Sequence, residues 1–201
     1  MKKLLLLMLV AVSAAAFKPA GEGYKAGDMA ADFKLKNVTG KMVSMADYTA
    51  AKGFIVVFTC NHCPVAQAYE KRIMALDAKY AAKGYPVLAI SPNDPVGEPQ
   101  DSYANMQKRS NEKKYSFPYL IDETQNITRE FGAQATPTAY VIQKTAKGFE
   151  VKYVGAIDND QPEANPARTK YVENAVDALL IGKAPAVNSS KAFGCRIVWK
   201  S

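Results

Sequence analysis

Cys60 and Cys63 sit three positions apart in the stretch FTCNHCP, with Asn61 and His62 between them, and His62 is the chain's single histidine. Two thiols at this spacing can exchange disulfides, clip a metal or form a small structural staple. Haem attachment requires a histidine directly after the second cysteine, where Pro64 stands. A closed zinc site takes four ligands, whereas the chain offers three cysteines and one histidine, with His62 and Cys63 adjacent and poorly placed to converge. A staple here would close a very small loop and constrain the unfolded chain little. Thiol exchange is the leading reading.

The elements around the motif must hold it. FIVVFT, residues 54 to 59, is a short continuous apolar run of the kind buried on both faces of a sheet. After the motif, Val65, Tyr69, Ile73, Leu76 and Tyr80 recur every three or four residues with polar residues between them, an amphipathic helix ending near Gly84. A strand running into a helix places Cys60 at the helix N-terminus, where unpaired backbone N–H groups favour a thiolate. Cys60 is then the exposed nucleophile, and Cys63, about one turn on, is buried and resolves the mixed disulfide. A protonated or hydrogen-bond-donating His62 would stabilise the Cys60 thiolate and push the pair toward the oxidising end of the range.

The remaining chain alternates the same kinds of element. Phe33 and Leu35, the turn NVTGK and residues 42 to 45 predict an N-terminal hairpin; residues 85 to 91 predict a second buried strand. The loop SPNDPVGEPQ leads to a weaker helix capped by Asp101 or Ser102, and residues 117 to 122 form a short extended segment. Asp122 with Gln125 resembles a capping box for a helix closing at Gly132. Residues 138 to 143 and 149 to 155 flank KTAKG as a hairpin, and Asn165 and Pro166 open a final helix stopped by Gly182 and Pro185. One β-α-β crossover plus hairpins implies an α/β fold with a mixed sheet flanked by helices.

With 48% hydrophobic and 22% charged residues, the composition supports one folded domain over residues 17 to 201. Residues 1 to 16 carry two lysines, an apolar run and a small-residue end at Ala14 to Ala16, the pattern of a secretory signal peptide cleaved after Ala16. The mature chain is expected in the periplasm or another extracytoplasmic space, where disulfides persist, with no stable membrane insertion. The net charge of +7 comes from scattered lysines with no long basic run, so nucleic acid is not an expected partner.

FTCNHCPVAQAYEKR after a buried strand, the upstream stretch AADFKLKNVTGKMVSMADY and the later GAQATPTAYVI resemble the thioredoxin superfamily. The upstream stretch and the SPND loop resemble its peroxiredoxin-like, AhpC/TSA-type branch, over nearly the whole of the mature chain from about Gly27. The resemblance implies a thioredoxin-like fold with an extra N-terminal β-hairpin and a cis Pro137. It also implies that the loop of Thr136 and Pro137 faces the active-site disulfide, with the Thr136 backbone pairing with an incoming peptide. The site residues implied are Cys60, Cys63, His62, Thr136 and Pro137, with a redox-active disulfide in place of any cofactor and no metal. Protein thiols or disulfides and an upstream redox protein are the implied partners.

The departures from the family pattern are specific. Phe58 and Thr59 stand where thioredoxins often carry tryptophan, and FIVVFT lacks the buried acid that assists proton transfer at the second cysteine. Glu70 is the nearest substitute, though a solvated glutamate paired with lysine or arginine is the plainer reading. Peroxiredoxins carry P-x-x-x-T-x-x-C, and Thr59 is one position too far from Cys63. Sco-type copper chaperones use C-x-x-x-C-P and a distant histidine; here the spacing is shorter and no second histidine exists, although two thiolates could hold Cu(I). Cys195, in KAFGCRIVWK, is either a buried inert thiol on a terminal strand that packs back on the domain or a third redox partner for Cys60 or Cys63. The sequence therefore predicts an extracytoplasmic thiol-disulfide oxidoreductase acting through Cys60 and Cys63, with thiol peroxidase and copper-binding chaperone as the alternatives.

Overall fold

A computed structural model describes residues 22–161 and 164–201. The signal peptide and its cleavage point lie outside the described residues. In chain order the elements are β1 (Met29–Ala30), β2 (Lys34–Asn37), β3 (Met42–Ser44), β4 (Gly53–Phe58), α1 (Pro64–Tyr80), β5 (Val87–Ser91), α2 (Tyr103–Lys113) and β6 (Tyr119–Ile121). There follow α3 (Asn126–Phe131), β7 (Ala135–Thr136), β8 (Thr138–Thr145), β9 (Gly148–Gly155), α4 (Tyr171–Leu180) and β10 (Cys195–Arg196).

The main sheet runs β1-β9-β8-β4-β5-β6-β2-β3. Its centre, β4-β5-β6, is parallel, while β8, β9 and β1 on one side and β2 and β3 on the other add antiparallel strands. This is the thioredoxin-like mixed sheet, extended by the N-terminal hairpin β2-β3. Strand β4 is buried along its whole length, which is why its sequence is an unbroken apolar run. Phe54, Val56 and Phe58 pack into the core on one face, with Leu88, Ile90 and Tyr140. Ile55 and Val57 pack on the other, against Tyr69, Ile73, Leu76 and Tyr80 of α1. Burying a side chain such as Ile73 contributes about 1.5–3 kcal/mol.

Local details differ from the pattern-based reading. The final helix begins at Tyr171 and not at Asn165, because Asn165 folds into a turn instead: its Oδ1 accepts from Ala167 N, and its own N–H donates to Asp160 Oδ2 at 2.6 Å. Asp122 and Gln125 do not form a capping box. Asp122 Oδ2 accepts from Thr128 N and Oγ1, both at 2.7 Å, while the Gln125 amide donates to the carbonyls of Pro92 and Val198. Of the alternating stretch from Phe193 to Trp199, the strand proper is Cys195–Arg196, paired antiparallel with β7.

Candidate functional site

The turn between β4 and α1 does not place the motif as its spacing suggests. Cys63, not Cys60, is the N-cap of α1: its Sγ accepts from Ala66 N at 3.5 Å, and Pro64, which needs no hydrogen-bond acceptor for its nitrogen, takes the first helical position. The helix N-terminus therefore acts on Cys63. Cys60 lies before it and is 4% exposed, so the expected exposed nucleophile is covered.

The disulfide also differs from the expected pairing. Cys63 is bonded to Cys195, 132 residues later, with the Cα atoms 5.9 Å apart, and Cys60 is the free thiol. Cys195 is thus a partner in a disulfide, not an inert buried thiol. The three cysteines meet around one residue. Thr136 Oγ1 is 3.0 Å from Cys60 Sγ, Thr136 O is 3.5 Å from Cys63 Sγ, and Thr136 is the register partner of Cys195 in the β7-β10 pair. The Thr136–Pro137 bond is cis, as the resemblance implied.

His62 is held by acidic partners. Its Nδ1 lies 2.6 Å from Asp101 Oδ2, and its Nε2 is 3.9 Å from Glu98 Oε2. Asp101 is fully buried and also accepts from the backbone N–H groups of Asn61 and His62 and from the Asn93 amide. A carboxylate already accepting from three donors acts as an acceptor here too, so Nδ1 carries the proton. Asp101 is the residue that sequence reading placed elsewhere, as a helix cap. Nothing in its spacing signals the role, because Asn61 and His62, the partners that tie it to the motif turn, lie about forty residues back.

These neighbours set the state of Cys60. Burial, joined by the negative charge of Asp101, pushes its thiol up to about 11, against smaller opposing effects of the Thr136 hydroxyl, the Cys63 N–H and the Asn93 amide. With its tail docked the site stores Cys60 as a protonated thiol. Glu70 is held by Arg109, Tyr115 and Lys113. Burial raises its carboxyl, but hydrogen bonds from Arg109 and Tyr115 and the charge of Lys113 outweigh that and hold it below the usual range. It is an ion-pair residue, as the plainer reading had it, but a buried one and not a solvated one.

Cys60, His62 and Asp101 are the one group of possible metal-ligating residues found among the described residues, their ligand atoms within 4.8 Å of one another. With His62 Nδ1 already bonded to Asp101, the group falls short of a closed tetrahedral set.

The profile of the AhpC/TSA family matches residues 26–148. The chain belongs to the AhpC/TSA family. Within the curated proteins, this member of the thioredoxin superfamily resembles two proteins named thiol-disulfide oxidoreductase ResA. That of Geobacillus thermodenitrificans is 27% identical over 121 residues, 60% of this chain and 65% of the relative. That of Halalkalibacterium halodurans is 23% identical over 120 residues, 60% and 64% respectively, so the chain matches less than two thirds of the length of either. The solved structure of an uncharacterized conserved protein from Geobacillus kaustophilus is 32% identical, covers 90% of this chain and 95% of its own, and superposes with a TM-score of 0.81. No helix among the described residues is long and apolar enough to cross a membrane.

Proposed function

We propose that this AhpC/TSA-family chain is an extracytoplasmic thiol-disulfide oxidoreductase that exchanges electrons with protein thiols or disulfides through Cys60 and Cys63. The observation carrying the reading is the convergence of both motif sulfurs, one of them already in a disulfide, on Thr136 beside a cis proline. The similarity to proteins named as thiol-disulfide oxidoreductases supports the same class of reaction. The leader-like residues 1 to 16 support the location.

In the forward half-reaction the Cys60 thiolate attacks a partner's disulfide, one partner sulfur leaves as a thiolate, and a mixed disulfide forms. Cys63 then attacks Cys60 Sγ, releasing the second partner sulfur and leaving the two motif sulfurs bonded. Cys63 suits this step because it sits at a helix N-terminus that favours its thiolate. His62 and Asp101 fix the turn that carries both cysteines. Reading the site as a thiol peroxidase is less well supported, since the P-x-x-x-T-x-x-C pattern is absent and Thr59 stands one position too far from Cys63.

The test is reduction of insulin disulfides by the reduced mature chain. Cys60→Ser and Cys63→Ser should each lower the rate at least 100-fold, and a rate within threefold of the parent for both would refute the reading.

A further inference from the structure

The C-terminal segment is laid across the site and fastened on both sides of it. Val198 N donates to Asn93 Oδ1 at 2.9 Å, Val198 O accepts from Asp94 N at 2.9 Å and from the Gln125 amide at 2.8 Å, and Lys200 N donates to Gln125 Oε1 at 2.8 Å. Ile197 is buried in the core, and Arg129 stacks over the Trp199 ring at 4.4 Å. The tail then pairs with β7 as a short added strand, which presents Cys195 at the level of Thr136.

Main-chain pairing of an extended segment with a free strand edge is a sequence-independent way to seat a peptide, with side chains supplying the choice. Here the edge is β7, and the side chain delivered is a cysteine already bonded to Cys63. The fit is close. A Cβ on Gly194 would lie 1.9 Å from Thr136 O and 2.7 Å from Thr136 C, both backbone atoms that cannot swing aside. Residue 194 must be glycine for the tail to reach this depth.

We propose that the C-terminal segment is a tethered substrate of the site and that Cys195 is its third catalytic thiol, moving one disulfide between Cys60–Cys63 and Cys63–Cys195. This relay rests on the oxidoreductase reading above. After the motif pair has been oxidised by a partner, the Cys195 thiolate attacks Cys63 Sγ. The Cys63–Cys195 bond forms, the Cys60–Cys63 bond breaks, and Cys60 leaves as a thiolate that takes up the proton Cys195 gave up. One disulfide and one thiol stand on each side of the step, so no outside oxidant or reductant is consumed. The reverse step frees the β7 edge and returns the disulfide to the motif. Tethering keeps Cys195 at a high effective concentration, so it competes with any external thiol. The covered form is a parked one: return requires a Cys60 thiolate, which burial and Asp101 disfavour.

The experiment is a disulfide map of the mature chain equilibrated with a reduced and oxidised glutathione mixture, quenched in acid, alkylated under denaturing conditions and read by peptide mass spectrometry. The parent should show Cys63–Cys195 with Cys60 alkylated, and Cys195→Ser should show Cys60–Cys63. Gly194→Ala should shift the ratio of the two pairings at least tenfold toward Cys60–Cys63. Trp199→Ala, which loosens the tail away from the thiols, should shift it the same way by a smaller factor and covers the case in which Gly194→Ala fails to fold. A parent that contains Cys60–Cys63 with Cys195 alkylated, or tail variants with an unchanged ratio, would overturn the relay. Insulin reduction in the same preparations separates the two claims: activity lost in Cys60→Ser with no Cys63–Cys195 in the parent map rejects the relay alone.

Discussion

Two of the buried carboxylates among the described residues, Asp158 and Asp101, are each surrounded by donors and do different work. Asp158, 2% exposed, accepts from Arg72 at 2.7 and 2.8 Å and from the Tyr69 hydroxyl at 3.0 Å, with Arg168 at 3.3 Å. It ties α1 to the loop after β9. Asp101 is no less buried, yet its donors are the motif turn and Asn93, which also holds the tail. A cavity of about 460 Å³, lined in part by Lys71, Arg72 and Arg168, lies beside Asp158. Burial, charge pairing and an adjoining cavity are therefore shared with a cluster remote from the motif, and what sets the proposed reactive centre apart is proximity to a sulfur.

Experiments on three residues sharpen or break this contrast. The largest effect belongs to Asp158→Ala, which strands a buried arginine and should cost about 3–5 kcal/mol in urea unfolding. Its folded fraction should keep the parent's insulin reduction rate; a drop beyond tenfold would erase the distinction between the two clusters.

Next comes Cys60 itself. In the oxidised chain at pH 8 its reaction with iodoacetamide should be about 100-fold slower than that of free cysteine, since a thiol pushed up to about 11 is rarely ionised. The same shift has a sign in stability. The folded chain holds the Cys60 proton more tightly than the unfolded one, so this contribution is whole below about pH 9 and is lost as pH rises from 9 toward about 11. Denaturant titrations at pH 8 and pH 10.5, compared with Cys60→Ser, isolate it: the parent should lose more stability than the variant.

The smallest effect is that of Asp101→Asn. Removing the negative charge lowers the Cys60 thiol and should speed its alkylation by a few-fold, at a cost of about 1–3 kcal/mol for the weakened hydrogen bonds. An unchanged alkylation rate would mean that burial alone governs Cys60.

These results separate what the sequence carries from what only the fold reveals. Strand β4, helix α1, strand β5 and both hairpins were legible because their signals are local: continuous apolar runs, a three-and-four repeat and turn residues at fixed offsets. Thr136 and Pro137 were legible through resemblance, and their structural place agrees with it. Asp101 and Asn93 were not legible, since what they hold, the motif turn and the tail, is far from them in sequence. The depth of Cys60 was misread because spacing fixes the turn but not what lies over it. Cys195 posed the hardest case: its bond to Cys63 closes a separation of 132 residues, and no pattern within a window can encode that.

That separation also sets an order of events during the making of the chain. Synthesis runs from the N-terminus, and domains take shape as their segments emerge. Cys60 and Cys63 are both out of the ribosome long before residue 195 is added, so the youngest molecules hold an uncapped dithiol. Each copy passes once, at birth, through a stage in which nothing of its own can compete with a visitor for those two sulfurs.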